Sequence, residues 1–490
     1  MAVTASTTTT TTHQSKSSSR EERDCAKVAP ATPSSHDVAV TKSSLKGISF
    51  RHIHYNADIV ETTSDRPWRP YPWCLWPDWF SAFLGLCIMA PLTPPVIVLL
   101  TLSNVWMTAI KNSWNLFLSR VPLIRSIPDL VYEKFAKYAA KKIMNNEKNS
   151  EFIPSLLWLT VLCPTIFGVA VYRFYHYGFE FWFFFLYHLL RLGPRFRFFT
   201  HLHVLLHKEG HDHIGFFNDK TFLCKLNHWY VQWFLGPFYG QVPNSYCIGH
   251  NKIHHKYDNG LDDVHTNIDL DRTKSWSFIM YAPRFGSYWV GTSCFFHFLV
   301  HGEYKFAWDI LKGMIVYYGL WMLSYYSMGF TFTFSYVILP QLEAIVFFAA
   351  ISYMWHLWID PKDPTNPYIN SVTIVHGHDN VWGEDYHAIH HHAVSVHWND
   401  ADAHYDLHEQ EYADNQATMF TDCEEGVLLY WIFSQQWDEV AKHFVDKSGK
   451  MTLEEKKELV MKRARCTFGK KTQYGWKHML QFFLGKLKSN

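Results

Sequence analysis

The chain lacks the cysteine patterns that stabilise small secreted proteins or bind zinc through thiolates. Its nine cysteines are scattered over 490 residues without a C-x-x-C pair, so we expect neither a disulfide framework nor a thiolate metal site in a reducing, cytosol-facing protein. A strong charge of either sign is also missing, because 45 lysines and arginines balance 44 aspartates and glutamates and leave a net charge of +1. No nucleic-acid partner is expected from such a balance.

Residues 1–46 lack apolar periodicity and are rich in serine and threonine. This composition cannot bury enough apolar surface to fold, so the segment is predicted to be a disordered tail. It has no apolar h-region, and a secretory signal peptide is therefore not expected. The shortage of acidic residues at its beginning leaves a transit peptide as an alternative.

Long apolar runs follow the tail and predict a membrane protein. Aromatic residues make up 18% of the chain, while a mean hydropathy of -0.14 indicates that a substantial part lies in water. Aromatic rings are typical of the flanks of membrane helices. The runs able to cross a membrane, or to form one arm of a hairpin, are 80–100, 154–172, 181–190, 314–339 and 344–359.

These runs predict an all-α fold with a polytopic membrane stem of about four to six spans. Pro340 is expected to separate the last two runs. Lysines and arginines fill segment 104–152, and Arg191 and Arg197 follow the third run. By the positive-inside tendency these cations indicate the cytosolic side.

Residues 401–490 are water-compatible and helical in pattern, and we assign them to a cytosolic helical region after a membrane domain at 47–400. Thr452 and Glu455 have the spacing of a capping box before a charged helix. Trp437, Val440 and Phe444 are expected to form one apolar stripe. We predict a helical cap on the cytosolic face of the membrane stem, which would hold the histidine clusters described next.

Histidine is the residue type that the chain has in excess. Of 30 histidines, ten lie between His201 and His265 and ten more between His356 and His408. Three of the clusters have metal-ligand spacing. They are H-x3-H at His207 and His211, H-x3-H-H at His250, His254 and His255, and H-x2-H-H at His387, His390 and His391, followed by His392.

Helical geometry explains how these spacings could serve a metal. Residues four apart lie on one face of an α-helix, so His207 and His211 can face one ion, and so can His250 and His254. His255 is turned by about 100° and is expected to reach a neighbouring ion. Eight converging imidazoles exceed the needs of one ion, which predicts a multinuclear site. Imidazole binds iron, zinc, copper and nickel, so these residues alone do not choose the metal.

The clusters resemble the three histidine boxes of the membrane fatty-acid desaturase and hydroxylase superfamily. HKEGHDHIGFF resembles the first box, GHNKIHHKYDNGLDDVH the second and WGEDYHAIHHH the third, and the similarity covers roughly residues 150–400. The resemblance implies two non-haem iron ions, O2 as co-substrate and a lipid or acyl substrate. It implies no catalytic side chain apart from the metal ligands.

Carried over residue by residue, the resemblance implies nine iron ligands. They are His207, His211, His250, His254, His255, His356, His387, His390 and His391. His356 fits the position at the end of the helix before the third box. Ser352 stands where similar acyl-CoA desaturases have an asparagine, which places a protein ligand from that position in doubt. The H-x3-H-H of the second box is closer to the alkane-hydroxylase branch than to the H-x2-H-H of most desaturases.

Several neighbours of the boxes are candidates for supporting roles. Metal-bound imidazoles usually give their second N–H to a carboxylate, and suitable acids are Glu209, Asp212, Asp262, Asp263, Glu384 and Asp385. His265 is a candidate for the same outer position, and His376 or His378 is an alternative to His356. A structural role is expected for His201, His203, His213 and His397.

The function predicted from these residues is an O2-dependent fatty-acid desaturase, with a lipid or alkane hydroxylase as the alternative. The chain has neither a His-Pro-Gly-Gly haem signature nor a G-x-G-x-x-G loop, so a separate electron donor such as cytochrome b5 or ferredoxin is expected. A metal-transporting membrane protein and a hydrolytic zinc enzyme are rival interpretations. The endoplasmic reticulum membrane is the expected location, with the plastid as the alternative.

Overall fold

The computed structural model describes residues 79–90, 105, 131–193, 196–211, 222–260, 262–377 and 380–468. The predicted tail at 1–46 and the second half of the run 80–100 lie outside the described residues.

Helices form most of the described chain, which confirms the all-α prediction. The α-helices are α1 (Trp79–Ala90), α2 (Lys137–Ile143), α3 (Phe152–Tyr177), α4 (Phe181–Leu192), α5 (Arg197–His211), α6 (Phe222–Tyr230), α7 (Gly236–Phe238), α8 (His255–Tyr257), α9 (Ser275–Trp289), α10 (Thr292–Val300), α11 (Tyr304–Thr333), α12 (Leu339–Trp355), α13 (Pro367–Asn370), α14 (His387–His392), α15 (Ala401–Asp414), α16 (Glu425–Phe433), α17 (Trp437–His443) and α18 (Leu453–Arg465). The π-helices are Val131–Ala136, Val231–Leu235, Ser245–His254 and Phe334–Ile338. Short 3₁₀ turns occupy Glu147–Glu151 and Trp398–Asp400, and the strands are β1 (Thr373–Val375) and β2 (Met419–Thr421).

The helices α3 and α4 form a hairpin at the turn that the sequence predicted near Gly178. Gly178 has a φ of +73°, a conformation that glycine adopts without steric cost. Arg173 and Glu180 are 2.7 Å apart across the turn. The 26 residues of α3 extend about 39 Å, which exceeds the thickness of a hydrocarbon core of about 30 Å.

A second hairpin begins in α11 and reverses at Gly329, which has a φ of +80° and a ψ of +175°. The hydroxyl oxygens of Ser324 and Thr333 are 2.9 Å apart, whereas nine residues of straight helix would separate them by about 13 Å. The break predicted at Pro340 is wrong. Pro340 is the second residue of α12, which continues directly from the π-helix Phe334–Ile338, so the helical path does not end at this proline.

Among the residues that the structure describes, two stretches are long and apolar enough to cross a membrane, Glu147–Tyr177 and Tyr304–Trp355. The second stretch contains the reversal at Gly329. The helix α4 is a shorter apolar helix, and Arg191 near its end is buried against Glu343 of α12 rather than exposed.

The two strands pair in parallel and fix the segment before the third histidine box. Ile374 of β1 lies opposite Phe420 of β2, and both side chains are buried. The backbone N–H of Ile374 also donates to the carbonyl of Asp385, at 2.9 Å. β1 therefore connects the residues just before α14 to β2, which lies about 30 residues after α14.

The C-terminal helices pack against the histidine-bearing segments. The capping box predicted at Thr452 and Glu455 is present at the start of α18. Arg272 is fully buried, and its guanidinium donates to the carbonyl of Leu357 at 2.6 Å, while its backbone N–H donates to the carbonyl of Ala464 at 3.0 Å. The predicted apolar stripe is buried in the main core, which contains Trp437, Val440 and Phe444.

Candidate metal centre

Four segments that are distant in the sequence bring nine histidines together. α5 supplies the first box, the π-helix Ser245–His254 with the first residue of α8 supplies the second, the residue after α12 supplies His356, and α14 supplies the third box. These nine are the positions named from the sequence. They divide into a group of five and a group of four.

The five-histidine group contains His207, His211, His250, His255 and His390, whose ligand atoms all lie within 4.8 Å of one another. The Nε2 of His207 is 2.7 Å from that of His250 and 3.0 Å from that of His211. The Nε2 of His255 is 3.0 Å from that of His250 and 3.1 Å from that of His390. Every one of these nitrogens therefore faces another.

The four-histidine group contains His254, His356, His387 and His391, and all four side chains are buried. The Nε2 of His356 is 3.2 Å from that of His254 and 3.1 Å from that of His387. The indole of Trp355 stacks on the ring of His387, with centroids 4.1 Å apart. An apolar face thus covers one side of this group.

The second box divides differently from the prediction. We expected His250 and His254 to share a face, but His250 and His255 share the five-histidine group, and His254 belongs to the other. The cause is the π-helix, in which the N–H of His255 bonds to the carbonyl of His250. The hydrogen bond of a π-helix spans five residues rather than four, and His255 rather than His254 therefore joins the group of His250.

The hydrogen bonds of His254 and His356 indicate that the inward-facing nitrogens of the four-histidine group can bind a cation. The Nδ1 of His254 bonds to a carboxylate oxygen of Asp263 at 2.6 Å, and the Nδ1 of His356 to the carbonyl of Asn370 at 3.2 Å. A carboxylate and a carbonyl only accept, so each Nδ1 is assigned the proton. The Nε2 lone pairs of His254 and His356 then face each other. A metal ion can accept the lone pairs of all four rings at once, whereas a proton can be shared by only one pair of nitrogens.

The spacing of the nitrogens agrees with metal ligation. A metal–imidazole bond of about 2.0–2.1 Å places two ligands at right angles about 3 Å apart. The six adjacent nitrogen pairs given above are 2.7 to 3.2 Å apart, and all the ligand atoms within each group lie within 4.8 Å of one another. The residues present therefore fit two metal ions, one in each group.

Burial sets the protonation state of the rings. It lowers the pKa of His211, His250 and His390 well below the ordinary value of 6.5, with help from the neighbouring histidines. It also lowers the pKa of His391 to about 4, although Asp258 opposes the change. These rings are neutral at pH 7, which is the form that binds a metal.

Two of the predicted acids contact histidines of the two groups. Asp263 holds His254 with one carboxylate oxygen and lies 3.1 Å from the Nδ1 of His265 with the other. The backbone N–H of His265 also donates to Asp263, at 3.3 Å, so the cluster of Asp263, His254 and His265 forms a polar support for the His254 ring. Glu384 lies 3.4 Å from the Nδ1 of His207 and 2.7 Å from the ammonium of Lys208.

The other predicted acids have different surroundings. Glu209 and Asp262 are buried, and Asp212 lies outside the described residues. Asp385 is buried beside Glu425; burial and the charge of that neighbour raise the pKa of Asp385 to about 9.

The flanking histidines that the structure describes fall outside both groups. His201 contacts the hydroxyl of Ser155 at 2.7 Å, and the Nε2 of His397 contacts the amide oxygen of Asn149 at 2.8 Å. His203 is buried among aromatic rings, and His376, the alternative to His356, is exposed. His213 and His378 lie outside the described residues.

Asp258 was missed by the sequence reasoning. Its carboxylate lies 3.1 Å from the Nδ1 of His391 and 3.0 Å from the Nε2 of His392. The only signal in the sequence was its place in the acidic stretch that follows His255. The spacing to the third box, more than 130 residues later, gave no indication of the contact.

Residues 180–422 match the family model described as fatty acid desaturase. The matched stretch contains all nine histidines. No curated protein and no solved structure gives a match to the chain.

Proposed function

Because the chain belongs to the membrane fatty-acid desaturase/hydroxylase superfamily, we propose that it is an O2-dependent lipid desaturase with a non-haem di-iron centre. The family match implies an oxidoreductase that acts on fatty acyl chains. The proposal adds the metal, the ligand set and the product.

The observation that carries the proposal is the division of nine histidines into groups of five and four, with the ring nitrogens facing inward. In the buried group, His254 and His356 use their Nδ1 protons on Asp263 and Asn370 and keep their Nε2 lone pairs for an ion. One ion would be held by His207, His211, His250, His255 and His390. The other would be held by His254, His356, His387 and His391.

Two iron ions bound there would supply the electron and oxygen chemistry that side chains lack. The balanced reaction removes two hydrogens from adjacent methylenes, takes two electrons and two protons from outside, and reduces O2 to two waters. Side chains of the protein fix the rings and exclude water. Trp355, stacked on His387, contributes to that exclusion.

Large apolar side chains on the outside of α3 and α11 support a membrane location. Trp158 is 59% exposed and Val161 is 61% exposed, and Leu323 and Tyr326 of α11 are 63% and 77% exposed. Water would be a poor solvent for such a surface. We propose that the two hairpins form the membrane stem, that the histidine groups lie on the cytosolic side, and that the membrane is that of the endoplasmic reticulum, with the plastid as the alternative.

Electrons in the proposed reaction come from a separate redox protein, such as cytochrome b5 or a ferredoxin. The balanced reaction requires two electrons for each double bond, and the donor would have to deliver them to the iron ions held by the two histidine groups. A metal transporter is disfavoured because the nine rings converge on two points rather than along a path.

A hydroxylase is the second candidate, and one observation favours it. The second box has the spacing H-x3-H-H, and the π-helix uses the extra residue to place His250 and His255 in one group. This spacing resembles the alkane-hydroxylase branch more than the common desaturases. The product would then be an alcohol.

Lipid profiling by mass spectrometry tests the proposal. A host expressing the wild type is compared with hosts expressing His390→Ala, which removes a proposed ligand, and His376→Ala, an exposed histidine outside both groups. A new unsaturated lipid in the wild type and in His376→Ala, absent from His390→Ala, is expected. A new hydroxylated lipid would transfer the assignment to the hydroxylase, and unchanged product in His390→Ala would reject the ligand set.

A further inference from the structure

Asp258 is a buried carboxylate at the junction of the second and third boxes. It follows α8, and its side chain is 2% exposed. It has a φ of +44° and a ψ of +60°, and the next residue, Asn259, has a φ of +59°. Aspartate and asparagine tolerate this left-handed conformation better than other residues with a β-carbon. The pair thus forms a tight turn directly after the ligand His255.

The Asp258 carboxylate contacts two histidines of the third box and also lies 4.0 Å from the Nδ1 of His356. One oxygen lies 3.1 Å from the Nδ1 of His391 and the other 3.0 Å from the Nε2 of His392. Burying a carboxylate costs several kcal/mol unless it is paired. One acidic side chain of the second box therefore orders two consecutive histidines of the third.

We propose that Asp258 is the positioning residue of the four-histidine group, and that His392 is a clamp for Asp258 rather than a metal ligand. A proton on the Nδ1 of His391, held by Asp258, leaves the Nε2 of that ring as a lone pair within the group. His392 belongs to neither group, and its Nε2 is occupied by the carboxylate. The inference rests on the proposed metal centre.

The turn at Asp258 also reaches two other rings of the same group. The backbone N–H of Asn259 donates to Asp263 at 3.2 Å, and Asp263 in turn holds His254. The side-chain amide of Asn259 donates to the carbonyl of His356 at 3.4 Å. His254, His356 and His391 are thus tied to one turn, while the five-histidine group has its own carboxylate in Glu384.

A change of Asp258 should selectively weaken the binding of one of the two proposed metal ions. Asp258→Asn keeps the size and the left-handed tolerance of the residue, but an amide has one acceptor oxygen and cannot accept from both rings. Loss of an outer carboxylate typically lowers metal affinity 10–100-fold. We expect that loss in the four-histidine group, with the affinity of the five-histidine group unchanged.

Cobalt titration of the metal-free, detergent-purified full chain tests this inference, with Co²⁺ bound per chain and its visible absorption spectrum as readouts. Wild type is expected to bind two Co²⁺. Asp258→Asn should bind one normally and the second with about 10–100-fold lower affinity and an altered spectrum. Asp422→Asn is the matched control, because Asp422 is exposed and also left-handed, with a φ of +52°.

The outcomes separate this inference from the function on which it rests. A wild type that binds no Co²⁺ and no iron would reject the metal centre itself. Two unchanged Co²⁺ sites in Asp258→Asn, or equal weakening of both, would reject only the positioning role. If Asp258→Asn does not purify folded, His392→Gln should weaken the same single site by a smaller factor, and an unchanged titration of that variant overturns the clamp.

Discussion

Asp263 connects the proposed metal ligand His254 to His265, which belongs to neither the five-histidine nor the four-histidine group. Its carboxylate accepts a 2.6 Å hydrogen bond from His254 and lies 3.1 Å from His265. Burial opposes ionisation of Asp263, but the two rings outweigh it and hold the pKa of the carboxyl well below its ordinary value. The carboxylate is therefore charged and can orient both rings at neutral pH.

Asp263→Asn is expected to lower the affinity of the four-histidine group for iron about 10–100-fold, because an amide supports the Nδ1 proton of His254 less well. Iron per chain after dialysis against a weak chelator is the measurement. Asp271→Asn is the control, since Asp271 is 23% exposed and contacts Thr273 and Lys274 rather than a histidine. Equal iron retention in the two variants would contradict the role of Asp263.

Glu343→Ala is expected to destabilise the protein by about 3–5 kcal/mol, because it leaves the buried charge of Arg191 without its partner. Arg191 is 1% exposed and Glu343 is 7% exposed, and His188 lies 2.9 Å from the same carboxylate. Thermal unfolding in detergent measures the loss. The double variant Arg191→Met with Glu343→Leu should recover most of it, and a single variant as stable as wild type would refute the pairing.

His356→Ala and Ser352→Ala are expected to differ sharply in product formation. His356 lies within the four-histidine group, whereas the hydroxyl of Ser352 lies 3.0 Å from that of Tyr281. We expect no product from His356→Ala and activity within about fivefold of wild type from Ser352→Ala, since a lost hydroxyl contact costs about 1 kcal/mol. Loss of iron from Ser352→Ala would show instead that this position supplies a ligand.

The metal-free protein is expected to lose stability as the pH falls below about 6.5. Burial lowers the pKa of His203 to about 3 and that of His397 to about 4, while an unfolded chain protonates histidine near pH 6.5. Between these values the unfolded state binds more protons, so acid favours unfolding, and above about pH 6.5 the effect vanishes.

Melting temperatures of the metal-free protein between about pH 7.5 and pH 4.5 check this sign. His203→Phe is the informative variant, because His203 packs against Phe199 and Phe348, with ring centroids 4.6 and 4.5 Å away. Its melting temperature should fall less with acid than that of the wild type. A wild type whose melting temperature is constant over this range would contradict the prediction.

The sequence predicted those parts of the site that depend on short spacings. His207 and His211 lie four apart on α5 and enter one group, and His387 and His391 of α14 behave likewise. The capping box at Thr452 was equally local. In each case regular helical geometry is enough to place the side chains.

The remaining features depend on departures from regular geometry or on distant contacts. The π-helix moved His254 into the other group, and the reversal lies at Gly329 rather than at Pro340. The left-handed turn at Asp258 meets His391 only after the chain has folded. The 3.6-residue periodicity of apolar side chains does not indicate the π-helix, the reversal or the left-handed turn.

The iron content of the purified full chain tests the central claim most directly. Two groups of facing imidazole nitrogens predict about two non-haem iron ions per chain, falling toward one when His254→Ala removes a ring from the four-histidine group alone. Folded, purified wild type that binds no iron, or that binds zinc in its place, would contradict the proposed di-iron oxygenase.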